Sequence, residues 1–204
     1  MNMKLAKRAL FKRVLTDYLF LLKLAKSDDI IRRYFVVNGF DGALTMLGLM
    51  MGFVFSRPAD LNIVMNVCLG AAVALGMSGL SSAYVSETAE RQRKLSRLED
   101  AMVCDLSGSD HGKAAKHAPI LVALVNGSAP LLICLFILTP LWLANADIWL
   151  PLPPLYCAIL MALFMVFLLG VFLGRIAGVW WLKSGIETLF LAIVTASLIY
   201  FITG

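Results

Sequence analysis

The chain has 204 residues, of which 60% are hydrophobic and only 15% charged, and its mean hydropathy is +0.84. Soluble domains carry ~25% charged residues, so the composition excludes an ordinary soluble domain and points to an integral membrane protein. A net charge of +5 would suit nucleic acid. The basic residues, however, flank apolar runs and form no aromatic-interleaved stripe, so no nucleic-acid partner is expected.

Residues 1–33 come first. Phe11, Leu15, Tyr18, Leu19 and Leu22 fall on one helical face, with Arg13, Thr16 and Asp17 opposite. This pattern predicts an amphipathic helix, either lying among lipid headgroups or packed on the protein's own cytoplasmic surface. The apolar run is interrupted and no small-residue cleavage site follows it, so a secretory signal is not expected.

Five apolar spans follow, at about 34–55, 61–84, 118–144, 152–174 and 186–203. Each is long enough for a hydrocarbon core of ~30 Å, so the expected fold is all-α with five transmembrane helices forming one membrane domain, 34–204. Of the 18 Lys and Arg residues, 17 fall before span one, between spans two and three, or between spans four and five; the exception is Arg57. The positive-inside rule then places the N-terminus in the cytoplasm and the C-terminus outside.

Asp41 is the one charged residue of the first span. A carboxylate at the centre of a bilayer costs ~2.5–3.5 kcal/mol on insertion scales, so it must face protein or water. Seven residues into the span, it lies ~10 Å along the helix from the cytoplasmic side. Asp41, Thr45, Gly48 and Gly52 share one face, which reads either as a transport path or as a polar packing seam.

Polar residues are few in the later spans. The second carries Asn66, Met77, Ser78, Ser81 and Ser82 among small residues, and Met77 is either packing or a soft ligand. In the third, Asn126 and Ser128 either line a path or bond across helices, and Pro130 removes a backbone hydrogen bond. Arg175, Trp180 and Trp181 close the fourth span as interface anchors, and Glu187 opens the fifth with Lys183 as an interfacial partner.

The polar stretch 86–117 is expected to be a cytoplasmic helical segment that continues span two and breaks at Ser107–Gly112. Glu87–Arg91 and Glu90–Lys94 are spaced as i,i+4 pairs of a solvated helix. The sharper alternative has Glu87, Glu90, Glu99, Asp105, His111 or His117 collecting a divalent cation. Cys68, Cys104, Cys134 and Cys157 form no disulfide framework. No nucleophile–base pair, zinc-protease motif or phosphate-binding glycine loop is present, so no enzyme and no resident cofactor are expected.

The run FDGALTMLGLMMG, the small-residue second span ending YVSETAE, the TP late in the third, and GRIAGVWWLKSGIETL leading to IYFITG resemble the vacuolar iron transporter family. The resemblance runs from about Arg33 to Gly204. It implies a five-span homodimer that exports ferrous iron or manganese from the cytosol in exchange for protons. It also implies Asp41 and Met77 as metal-path residues; Thr45, on the face of Asp41, is expected to join Met77 as a secondary ligand. A ligand must be deprotonated, so metal and proton would compete for one carboxylate. A prokaryotic plasma membrane, rather than a vacuolar one, is the expected location. Two departures are visible. Ala83 stands where the family's pattern has a glutamate, and 86–117 is shorter than the glutamate-rich domain of iron-transporting members. They raise the alternative of a non-transporting scaffold or metal sensor that keeps the fold.

Overall fold

A computed structural model describes residues 28–58 and 60–203. The expected amphipathic helix at 1–33 lies almost wholly outside the described residues. The described chain forms α1 (Asp28–Ser56), α2 (Leu61–Met102), α3 (Asp110–Asn145), α4 (Pro154–Ala177) and α5 (Trp181–Thr203), with no strand among the described residues. All five helices are long and apolar enough to cross a membrane. The protein is therefore an all-helical multi-pass membrane protein.

Each boundary has a local cause. Asp60 caps α2, its Oδ1 accepting from the Asn62 amide at 2.8 Å, and Ser109 caps α3 through the Gly112 amide at 3.3 Å. At 42 residues α2 is ~63 Å long, about twice a hydrocarbon core, so its charged half continues well past the apolar part. Besides α1, which is followed by left-handed Arg57 (φ 46), three helices end on a left-handed residue: Val103 (φ 50), Asp147 (φ 57) and Gly178 (φ 68). In each of these three the next amide reaches back five residues, from Cys104 to Glu99, Ile148 to Leu143 and Val179 to Gly174.

The chain divides into two units. The described part of the first comprises 28–34 and 80–125. Along α2 its buried positions are Ala83, Glu87 and Arg91, one stripe at helical spacing. The loop before α3 is folded tightly onto Gly112, where an added Cβ would meet the Ser107 carbonyl oxygen at 2.4 Å. Glu99 Oε1 accepts from the Leu106 amide at 3.0 Å and so ties the loop back to α2.

The second unit, 35–79 and 126–203 in its described part, holds the apolar core. Met46, Leu47 and Met50 of α1 meet a cluster containing Val64, Cys68, Ile137, Leu138, Leu141 and Val166, all essentially inaccessible. Here α4 and α5 form an antiparallel hairpin seated on glycine. Added Cβ atoms at Gly170 and Gly174 would lie 2.0 Å from Thr188 Oγ1 and 2.8 Å from Ser184 Cβ. Thr188 Oγ1 also donates to the Val166 carbonyl at 3.3 Å. The spacing Gly170-xxx-Gly174 against Ser184-xxx-Thr188 is the small-residue motif that lets membrane helices approach closely.

Candidate polar site around Asp41

The site lies in the second unit, and α1 positions it. Gly42, which follows Asp41, is fixed by contact: an added Cβ would stand 2.9 Å from Pro130 Cα and 3.0 Å from its carbonyl oxygen. The Asp-Gly pair is thus an α1–α3 docking point as well as a carboxylate. Gly39 sits against Leu169 of α4, where an added Cβ would find Leu169 at 3.1 Å. Leu169 is six residues from Arg175, so this level lies ~9 Å along α4 from its basic end, with Asp41 slightly deeper.

Asp41 itself is exposed on the single chain. No hydrogen bond or ion pair reaches it from the described residues. Thr45 and Gly48 are half-buried on the same side, Gly48 touching only Ile199 at 3.6 Å, and Gly52 has nothing within 4 Å of an added Cβ. Among the described residues, the Asp41–Gly52 face is only partly filled as a packing seam. The seam that the chain does fill is Gly170–Gly174, a spacing of the same kind that the sequence reading passed over.

Polar groups do gather beside Asp41, one helical turn back. Asn126 of α3 is 3% exposed. Its Nδ2 donates to the Gly79 carbonyl of α2 at 2.5 Å, and its Oδ1 accepts from Asn38 Nδ2 of α1. Of the two readings open for Asn126, bonding across helices is the one observed. Asn38 was missed in the sequence; its spacing of three residues from Asp41 was the available signal. Gly79 makes the contact sterically possible, since an added Cβ would lie 3.0 Å from the Asn126 carbonyl oxygen. On α2, Met77 is 56% exposed and Ser78 is exposed beside it. They lie between the levels of Gly76, which faces Gly127, and Gly79, which faces Asn126.

The acidic residues of the first unit are arranged differently. Glu87 and Arg91 are each 7% exposed and pair at 3.5 Å. This corrects the expectation of a solvated pair: the two residues extend the buried stripe of α2, and the guanidinium already neutralises the carboxylate. Glu90 does pair in the open, with Lys94 at 3.2 Å. Glu99 and Asp105 serve the loop; the Ser107 amide donates to Asp105 at 2.8 Å and holds its carboxyl below the ordinary carboxylate range. Among the described residues, no three His, Cys, Asp or Glu side chains come together in a metal-binding group. Lys183 and Glu187 of α5 pair at 3.9 Å, both exposed.

No protein-family profile and no solved structure matches the chain. A protein of Methanocaldococcus jannaschii, itself described as uncharacterized, is similar: 28% identical over 173 residues, covering 83% of this chain and 87% of the relative. The likeness extends over most of both chains and brings no activity with it.

Proposed function

We propose that the protein is a membrane transporter that exports a divalent metal, ferrous iron or manganese, from the cytosol by proton antiport, as the resemblance to the vacuolar iron transporter family implies. The observation that carries the reading is Asp41: a carboxylate within an apolar span that has no hydrogen bond or ion pair among the described residues and lies exposed beside a polar level of three helices. Such a group is tolerated in a bilayer only when protein, water or an ion meets it. Metal binding at Asp41 releases its proton, and that competition couples the two fluxes. Thr45, one turn on, and Met77 of α2 supply a hydroxyl and a soft thioether as secondary ligands.

The open face also supports a homodimer. A second copy laid across Asp41, Gly48 and Gly52 removes the carboxylate from lipid and sets two carboxylates opposite one cation. The distribution of Lys and Arg supports a cytoplasmic N-terminus, an external C-terminus and entry to Asp41 from the cytoplasm. A prokaryotic plasma membrane is the proposed location.

The experiment is metal-driven proton flux in proteoliposomes loaded with a pH dye. Wild type is expected to release protons on addition of manganese or ferrous iron, and Asp41→Asn to abolish the response. Equal flux from both proteins would remove Asp41 from the mechanism, and no flux from either would remove transport of these metals. A second reading, a non-transporting scaffold or sensor, draws on buried Ala83 and on the Glu87–Arg91 pair, which leaves Glu87 without charge to spare. It predicts normal cellular function in Asp41→Asn and loss of function when Gly48 and Gly52 are enlarged.

A further inference from the structure

We infer that the side-chain amides of Asn38 and Asn126 form a positioning chain for Asp41, holding α1 at the height and rotation that aim the carboxylate at its open face. The inference rests on the reading of Asp41 as the metal-binding carboxylate.

Two fixed points on α3 flank Asp41. Three residues before it, Asn38 donates to Asn126; one residue after it, Gly42 lies against Pro130 too closely for a Cβ at 2.9 Å. Sliding or rotating α1 would break the first contact or drive backbone into backbone at the second. Asn126 is anchored in turn on α2, through the 2.5 Å bond to the Gly79 carbonyl. The three helices are thereby tied at one level without any hydrogen bond to Asp41 itself.

The local backbone makes this level unusual. Pro130 has no N–H, so the Asn126 carbonyl lacks its helical donor four residues on. At the equivalent break before Pro140, Thr139 Oγ1 donates to the freed Phe136 carbonyl at 2.7 Å. At Asn126 the freed carbonyl instead faces Gly79, at the place where a Cβ would stand 3.0 Å away. The turn of α3 that carries the amide is thus already short of one bond. A buried amide there is costly unless its own donors and acceptors are used, and the chain Asn38–Asn126–Gly79 uses them.

The test is reaction of the membrane carboxylates with dicyclohexylcarbodiimide in nanodiscs, followed site by site by mass spectrometry. Glu187, on α5, is the internal control. In Asn38→Ala, which leaves the Asn126–Gly79 bond intact, the ratio of Asp41 to Glu187 labelling rates should change at least threefold, and in Asn126→Leu by as much or more. Unchanged ratios in both variants would overturn the inference, even if their melting temperatures fall, because a merely structural bond lowers stability without re-aiming Asp41. In a second arm, manganese should slow Asp41 labelling in wild type, with at least fivefold more metal needed for half-protection in Asn38→Ala. If manganese gives wild-type Asp41 no protection, the metal-site reading fails, and the labelling ratios still decide the positioning role.

Discussion

Two small-residue faces in this molecule have opposite fates. On α4, Gly170 and Gly174 are closed against Ser184, Thr188 and Trp181 of α5, so closely that no Cβ fits. On α1, Gly48 and Gly52 have the same spacing, and the face they share with Asp41 is only half-covered, an added Cβ meeting nothing closer than Ile199 at 3.6 Å. The spacing permits close approach on either helix; a facing element decides whether approach happens. At α4 the hairpin partner is the next helix in the chain, and Gly185 opens α5 to Phe167 in return. At α1 the tightest packing is on the other side, where Met46, Leu47 and Met50 are fully buried, while α5 reaches the Gly48 face only at Ile199 and, through Tyr200, at Phe55. The carboxylate of Asp41 is left exposed, with no hydrogen bond or ion pair from the described residues.

The contrast can be broken by substitution. Gly170→Val should cost the most, ~3 kcal/mol or more, because the new Cβ meets Thr188 Oγ1 and the Ser184 carbonyl oxygen at 2.0 and 2.9 Å. Thermal unfolding in detergent would register it, and a loss under ~1 kcal/mol would mean that the hairpin seam is loose. Gly174→Ala should cost ~2 kcal/mol, since the Trp181 backbone at 3.0 Å cannot withdraw as a side chain can. The same logic applies to helix ends. Val103 holds a left-handed conformation that Gly178 holds without strain, so Val103→Gly should gain ~1 kcal/mol, read as slower proteolytic nicking after α2. The smallest effect is expected on the open face. Gly52→Ala should stabilise the single chain by ~0.5–1 kcal/mol through helix propensity. In the proposed homodimer the same methyl stands in the interface, so dissociation in size-exclusion light scattering is expected alongside that gain, and an intact dimer would take the second copy off this face.

Much of this architecture was legible in the sequence. Five apolar runs predict five helices, because each must satisfy its own backbone in a medium without water. Asp41 stood out as the one charge in an apolar run; the break after the charged half of α2, expected at Ser107–Gly112, falls earlier, at 103–109, and Gly112 lies inside α3. The Glu87–Arg91 pair was read as solvated because i,i+4 spacing reports that two side chains meet and says nothing of which way the pair faces. Only the register of the buried stripe Ala83–Glu87–Arg91 decides that. Asn38 was overlooked because its spacing from Asp41 signals only a shared helical face; the bond that gives it meaning is to Asn126, 88 positions away.

By itself, then, the sequence determined the helices, their number and the one carboxylate that apolar surroundings cannot ignore, since hydropathy and charge act within a single segment. Tertiary structure alone decided which glycine face is filled, why a glycine follows Asp41, and which amides hold its helix in place. These depend on what stands opposite at 3 Å, and residues brought together from different helices leave no trace in local composition.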